Sequence, residues 1–393
     1  MIAPNPRLQT DVHQCRVALV TTELREGGAE KCLAQLAARI DPDCFDTRVF
    51  CLAPPPPAPR DRLWRELHEA GVTVHALGLQ SGWQLPYVVS QLVQAWQDWK
   101  PDIVQSFLFH ADVVASHVCR RLQIPIHNLG LRVAEPSRWR GWWERLAAQR
   151  AERVVAVSAS VADHAMQHWG IPREKLVVIP NGIDPSVYDT AQPVDWRELE
   201  VPASRQVIAI VGRLEPQKGI DRIAEHLPDF FRVHRQAHLV IVGEGSQRGA
   251  LERQFDAAGV SDRVSFLGWR NDVPAILKAS RVLLLPSRYE GMPNVVLDAM
   301  ACRLPVAAFE VAGLAELLIS SGNPWVRQGD VPGLLQLAGR AIDDRRWAER
   351  VGLQNSQIVR TRFSLDGMVG QYERLYWDQW QRVQKLVRPR ESG

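Results

Sequence analysis

Apolar residues along this chain follow two alternating rhythms. Short runs at residues 16–22, 45–52, 72–77, 103–106, 126–131 and 154–157 are rich in apolar and β-branched residues and read as strands, the first of them as a buried one. Between them lie stretches of helical spacing: residues 29–40 place apolar side chains at 29, 32, 33, 36, 37 and 40, and residues 87–100 and 111–122 follow the same period. The series resumes with runs at 207–211, 238–242, 264–267, 282–285 and 306–308, again separated by helical text. Regular alternation of strand and helix predicts parallel sheets covered by helices, so the chain is read as α/β with two Rossmann-like, doubly wound domains and a cleft between them.

The pattern also sets the boundaries. Pro180-Asn181-Gly182 is turn chemistry, and residues 183–205 bear prolines with little periodicity, as a linker would. The domains are therefore 1–180 and 206–362, joined by 181–205. A final helical run over 364–386 carries Leu365, Met368, Val369, Tyr372, Leu375 and Tyr376 on one face, which needs a surface to cover; segment 363–393 is set apart for it. Pro54–Pro57 reads as a stiff surface connector.

Composition narrows the classes. A chain of 393 residues, 46% of them hydrophobic, has ample material for two cores. Its 47 basic and 44 acidic residues leave a formal charge of +3, which gives no global drive toward nucleic acid. Six cysteines without a Cys-x-x-Cys spacing read as reduced, buried thiols. No signal-type leader and no run of roughly 18 apolar residues is present, so a cytoplasmic protein is expected, with at most peripheral contact to a membrane.

In two-domain α/β proteins ligands gather at the carboxyl ends of strands, and three loops there are unusual. After the first strand, Gly27 and Gly28 open a helix where backbone amides and the helix dipole can approach an anion; a plain tight turn is the other reading. After the run at 207–211, Gly212 leads into a loop with Arg213 and Lys218, two cations able to clamp a diphosphate or, alternatively, two solvated charges. After 282–285 come Glu290 and the turn Gly291-Met292-Pro293-Asn294, then Asp298 in the following helix. Glu290 could accept bonds from sugar hydroxyls and Asp298 from a ribose, although each alone reads as a surface acid. Gly243-Glu244-Gly245 with Gly249 imitates a dinucleotide fingerprint, but the next strand runs into Gly268-Trp269 with no acid for a ribose, which argues against an oxidoreductase. The one Asp-x-Asp, Asp41-Pro42-Asp43, introduces a strand and reads as turn chemistry.

The turn GGAE at 27–30, SASV at 158–161, IPNGID at 179–184, GRLEPQKG at 212–219, VGEG at 242–245, FLGW at 266–269 and EGMPNVVLDAMA at 290–301 together resemble glycosyltransferase family 4 over almost the whole chain. That resemblance implies a GT-B fold, an acceptor on the N-terminal domain, a nucleotide sugar on the C-terminal one, a last helix that crosses back, and transfer with retention of configuration. Arg213 and Lys218 would then hold the diphosphate, Glu290 the transferred sugar, Gly268 to Arg270 with Trp269 the base, and Gly27 and Gly28 would close on the diphosphate from the opposite domain. No cofactor and no metal are expected, because the cations and helix-terminal amides supply the positive charge.

Two positions depart from the family pattern. Asp298 stands where a longer glutamate is usual, and Phe107 occupies the place of a histidine that touches the donor sugar, leaving His110 as the substitute candidate or as an ordinary helix-start residue. Arg138, Trp139, Arg140, Trp142 and Trp143 interleave arginine with tryptophan, which suits a membrane interface and a polyprenyl-diphosphate-linked acceptor; interdomain packing is the competing account. The expected donor is a UDP-linked hexose or N-acetylhexosamine, with GDP-mannose or a non-catalytic sugar-nucleotide binder as alternatives, and nucleic acid is excluded as a partner.

Overall fold

The computed structural model describes residues 14–134 and 137–387, the side chains of 138, 386 and 387 apart. The first half runs β1 (Cys15–Thr21), α1 (Gly28–Arg39), β2 (Phe45–Cys51), α2 (Arg62–Glu69), β3 (Thr73–Ala76), α3 (Leu85–Trp99), β4 (Ile103–Phe107), α4 (Phe109–Leu122), β5 (Ile126–Leu131), α5 (Arg138–Arg150), β6 (Arg153–Ala156), α6 (Ala159–Trp169) and β7 (Leu176–Val178). A short α7 (Pro185–Thr190) leads to β8 (Gln206–Val211), α8 (Leu227–Val233), β9 (Ala237–Val242), α9 (Arg248–Ala257), β10 (Val264–Gly268), α10 (Val273–Ala279), β11 (Val282–Leu285), α11 (Asn294–Ala301), β12 (Val306–Ala308) and α12 (Leu314–Leu318). Helices α13 (Val331–Asp343), α14 (Arg345–Arg362) and α15 (Leu365–Val387) complete the chain.

Two parallel sheets result, ordered β3-β2-β1-β4-β5-β6-β7 and β10-β9-β8-β11-β12. Their central strands are apolar on both faces because helices cover both; Val17 to Val20 of β1 are completely buried. Each sheet reverses its winding once, between β1 and β4 and between β8 and β11, and such a reversal opens a crevice beyond the carboxyl ends of the strands. Thr21 pairs with Phe107, so the loops after β1 and β4 leave the sheet side by side. The loops after β8 and β11 do the same in the second domain. The loops that carry Gly27 and Gly28, Gly212 and Gly291 therefore stand at the two reversals, while Gly243 and Gly268 lie at the carboxyl ends of β9 and β10.

Helix α15 returns to the first domain. Leu365, Met368, Val369, Tyr372, Tyr376 and Trp380 are buried in one cluster with Cys32, Leu33 and Leu36 of α1 and with Phe107. Each such side chain contributes roughly 1.5–3 kcal/mol when withdrawn from water. A reciprocal amide pair, Asn128 with Gln379 at 2.8 Å in both directions, fixes the register of the crossing.

Two expectations change. The first sheet has seven strands where six were read; the extra one, β7, has only three residues at a sheet edge and is too short to show a period. Residues 183–205 are not a bare linker: Tyr188 and Trp196 are buried, Trp196 donates to the Ala279 carbonyl at 3.0 Å, and Val194 bonds to Ala275, so this segment packs on the second domain. All six cysteines are free thiols. Among the described residues no helix is long and apolar enough to cross a membrane.

Candidate active site

The loop after β8 is shaped around Lys218. Glu215 holds Ser246 through its backbone N–H at 3.0 Å and its hydroxyl at 2.6 Å, which ties this loop to the one after β9. Gly243 and Gly245 serve the same contact: a Cβ on either would run into the carbonyls of Gly212 and Leu214. The dinucleotide-like glycines are thus explained by loop packing. Gly212, at φ 156°, leaves room for the Lys218 stem, whose Cε lies 3.2 Å from where a Cβ would stand.

Lys218 Nζ reaches the Glu290 carboxylate at 2.6 Å, and the Ser287 hydroxyl donates to the same oxygen at 2.8 Å. Both ion-pair partners are largely buried, with side-chain exposures of 17% and 8%. The β8 and β11 loops therefore present one cation and one acid together at the second domain's reversal. Arg213 stands exposed at the start of the same loop.

The turn after Glu290 is pressed against the first domain. Ala134 N–H donates to the Glu290 carbonyl at 3.3 Å, and the Ser158 hydroxyl donates to the Gly291 carbonyl at 2.8 Å while it caps α6. Gly291 has no room for a side chain because the Arg132 carbonyl fills the space. Met292 and Pro293 are buried and Pro293 caps α11. Asn294 bridges the domains: it donates to the Gly28 carbonyl at 2.9 Å and accepts from Asn181 at 2.5 Å, and Asn181 in turn accepts from Arg132. Asp298 contacts Lys31 at 3.5 Å and receives the Tyr188 hydroxyl, so it stands between the domains. Across the cleft, Glu26 meets the Trp269 indole, and burial holds its carboxyl above the ordinary range. Gly268 takes the left-handed conformation, φ 67°, and accepts from Gly243 N–H at 2.7 Å.

Phe107 is fully buried, with the Tyr372 ring at 6.1 Å and the Arg132 guanidinium 5.6 Å above its face. His110 lies in the first turn of α4 and makes no hydrogen bond or ion pair with Lys218, Glu290 or Arg213 among the described residues. It packs on Phe109 at 5.2 Å, and partial burial with the Arg140 charge lowers its pKa. Phe109 also carries Trp139 at 5.5 Å and the Arg140 guanidinium at 4.8 Å. Trp139 and Trp142 are 64% and 59% exposed, and Trp143 is half-buried against Trp142. The Arg138 side chain lies outside the described residues.

Some cleft residues escaped the sequence reading as candidates. Arg132, Asn181, Ser158 and Lys31 are single polar residues whose partners come from remote segments. Ser158 and Asn181 lie in the motifs SASV and IPNGID, whereas Arg132 and Lys31 are marked only by position just beyond a strand and in a first helical turn. Glu30 is another: it is buried at the start of α1, and burial pushes its carboxyl up to about 7 despite the nearby Arg213 and Arg132 charges. Asp41-Pro42-Asp43 forms a turn, Asp43 N–H donating to Asp41 at 3.0 Å, at the amino end of β2 and remote from the cleft. Among the described residues no group of His, Cys, Asp and Glu could hold a metal ion.

Comparison with known proteins agrees with this geometry. Residues 26–187 match the family model for Glycosyltransferase Family 4 and residues 205–344 that for Glycosyl transferases group 1. The chain is 29% identical over 365 residues to a 2-deoxystreptamine N-acetyl-D-glucosaminyltransferase of Streptomyces fradiae, covering 84% of this chain and 82% of that one. It is 30% identical over 211 residues to an Escherichia coli UDP-Gal:alpha-D-GlcNAc-diphosphoundecaprenol alpha-1,3-galactosyltransferase, covering 52% and 54% of the two chains. The fold is shared with the Anabaena protein HepE in complex with UDP-glucose, at a TM-score of 0.80 and 22% identity over 92% of this chain and 99% of that one. With one family model over each domain and the cleft between them built as described, the chain belongs to glycosyltransferase family 4 and is a glycosyltransferase of the GT-B fold.

Proposed function

We propose that this enzyme transfers a hexose or N-acetylhexosamine from a UDP-sugar to a saccharide acceptor carried on a polyprenyl diphosphate, with retention of configuration and without a divalent metal. The observation that carries the reading is the Lys218–Glu290 pair at the β8/β11 reversal, facing the amino end of α1 across the cleft. Breaking the bond between the sugar and the diphosphate leaves negative charge on the nucleotide. Lys218, Arg213 and the N–H groups at Gly27 and Gly28 are the preorganised positive ends that stabilise it. Glu290, held by Lys218 and Ser287, is placed to accept hydrogen bonds from the sugar's hydroxyls. The named complexes of HepE with UDP-glucose support a uridine donor.

The lipid-linked acceptor is supported by the Escherichia coli relative's named substrate and by a crest of exposed aromatics. Helices α3, α4 and α5 pack side by side, and each begins at the carboxyl edge of the first sheet. At those beginnings Trp83 and Tyr87 are 80% and 64% exposed, as Trp139 and Trp142 are at 64% and 59%. Aromatic rings with arginine at one rim suit a membrane interface, which supports a reading of this edge as the one turned toward the inner face of a membrane.

Thermal stabilisation by UDP, GDP, UDP-sugars and NAD, with EDTA present, tests the donor for the wild type and Lys218→Ala. Ligand at 100 times its Kd adds about 2.7 kcal/mol. A shift with uridine compounds that Lys218→Ala abolishes is the expected result. A shift with GDP alone would change the donor, and a response to NAD alone or to none would overturn the reading.

A further inference from the structure

The amino end of α1 already holds a carboxyl group of the protein. Glu30 is the third residue of α1, and its carboxylate folds back over the N-cap, Gly27, into the space a Cβ there would fill. Gly27 has an extended backbone, φ −137°, that any residue can adopt. A side chain at this position would displace the Glu30 carboxylate, which uses the space above Gly27. Helix N-termini attract anions through their unpaired N–H groups and dipole, and at this one the protein supplies its own.

The surroundings point the same way. Glu30 is 7% exposed. The charges that face it are Glu23 from the turn before α1, Arg132 from beyond β5 and Arg213 from the β8 loop of the other domain. Arg132 is itself more than nine-tenths buried; one guanidinium nitrogen donates to Asn181, the Cys32 thiol and the Tyr372 hydroxyl lie close to the group, and among the described residues no carboxylate is hydrogen-bonded to the buried Nη1. Glu30 thus lies among the positive ends that a diphosphate entering from the C-terminal domain would meet, Arg213 among them.

We propose that Glu30 is a proton-linked gate of the donor site: its carboxylate occupies the anion seat at α1 in the empty enzyme and takes up one proton from solvent when a nucleotide sugar's diphosphate arrives. This rests on the donor reading above. Two like charges at one helix start repel, and the nearby low-dielectric interior screens them poorly. Protonation removes the repulsion and leaves a neutral carboxylic acid able to donate a hydrogen bond to a phosphate oxygen. Glu290 differs because Lys218 is bonded to it. Burial that already holds Glu30 near neutral pH makes the uptake accessible at ordinary pH.

The test is calorimetric titration with UDP-glucose at pH 7.5 in two buffers of different ionisation enthalpy. The diester phosphates of this probe keep fixed charge over the range, so proton uptake reports the protein. Uptake of about three-quarters of a proton per bound ligand is expected at that pH, with affinity flat below pH 7 and falling by up to about tenfold per pH unit above it. Glu30→Gln should bind without that uptake and with a flat profile, at least as tightly as wild type at pH 8; Glu30→Met, also neutral, serves if the glutamine variant is poorly folded. No uptake in wild type, or uptake that persists in the neutral variants, would overturn the gate, and the wild-type measurement needs no variant. A role confined to capping α1 would lower Tm in Glu30→Met and leave proton uptake unchanged. Failure of UDP-glucose, UDP-N-acetylglucosamine and GDP-mannose all to bind would instead remove the donor reading and the gate with it.

Discussion

Replacing Lys218 by methionine removes the charge and keeps most of the stem that lies over Gly212. Charges at the 2.6 Å separation of Lys218 and Glu290 attract by about 6 kcal/mol at an effective dielectric constant of about 20. Desolvation of both groups offsets most of that, and with side chains only 17% and 8% exposed the offset is substantial. The single variant leaves Glu290 buried with the Ser287 hydroxyl as its remaining partner, so a loss of about 1–3 kcal/mol is expected. Glu290→Gln keeps the shape and the hydroxyl contact, and the double variant should be more stable than the two single losses added together predict. Urea unfolding of the four proteins gives a coupling energy, expected at 1 kcal/mol or more. In parallel, UDP-glucose binding should weaken at least tenfold in Lys218→Met and much less in Glu290→Gln, because only the lysine faces the phosphates. A coupling below about 0.5 kcal/mol, or equal losses of UDP binding in both variants, would refute the view that the pair is built for the donor.

Gly291→Ala should open the contact between the domains, since its Cβ meets the Arg132 carbonyl, a backbone atom that cannot step aside. A stability loss of about 1–3 kcal/mol and a larger radius of gyration in X-ray scattering are expected; an unchanged scattering profile counts against it. Trp139→Ala with Trp142→Ala should abolish flotation of the enzyme with anionic liposomes while donor binding is retained, and flotation equal to wild type would reject the membrane crest. His127, fully buried on β5, has its pKa lowered by burial to about 4. The stability this gives is present above the ordinary histidine value of about 6.5 and lost as pH falls toward 4, so His127→Phe should flatten that acid limb. Asp112, buried and raised to about 7, has the opposite sign: its share is present below about pH 4 and lost as pH rises through 7. Asp112→Asn, which keeps the Ser106 contact, should therefore be more stable relative to wild type at pH 8 than at pH 5, as chemical denaturation at the two values will show.

The sequence by itself determined the layer architecture. Continuous apolar strands such as β8 and β11 alternating with amphipathic helices have one economical arrangement, the covered parallel sheet, and glycines with cations at strand ends marked where a ligand would lie. Arg213, Lys218, Glu290 and the Gly291 turn stood out in the sequence because each lies in a glycine-bearing motif that follows a strand. The tertiary structure decided what depends on remote segments meeting. It paired Lys218 with Glu290 across 72 residues and linked Arg132, Asn181, Asn294 and Gly28 across the domain boundary. It seated Asp298 between Lys31 and Tyr188 and packed segment 185–205 on the second domain, since a buried Tyr188 or Trp196 has no local periodicity to announce it. It also placed the Glu30 carboxylate over Gly27. Spacing alone shows a glutamate three residues into a helix; only the closed-in cleft, with Arg132 beneath and another domain opposite, makes it a buried acid in an anion's seat.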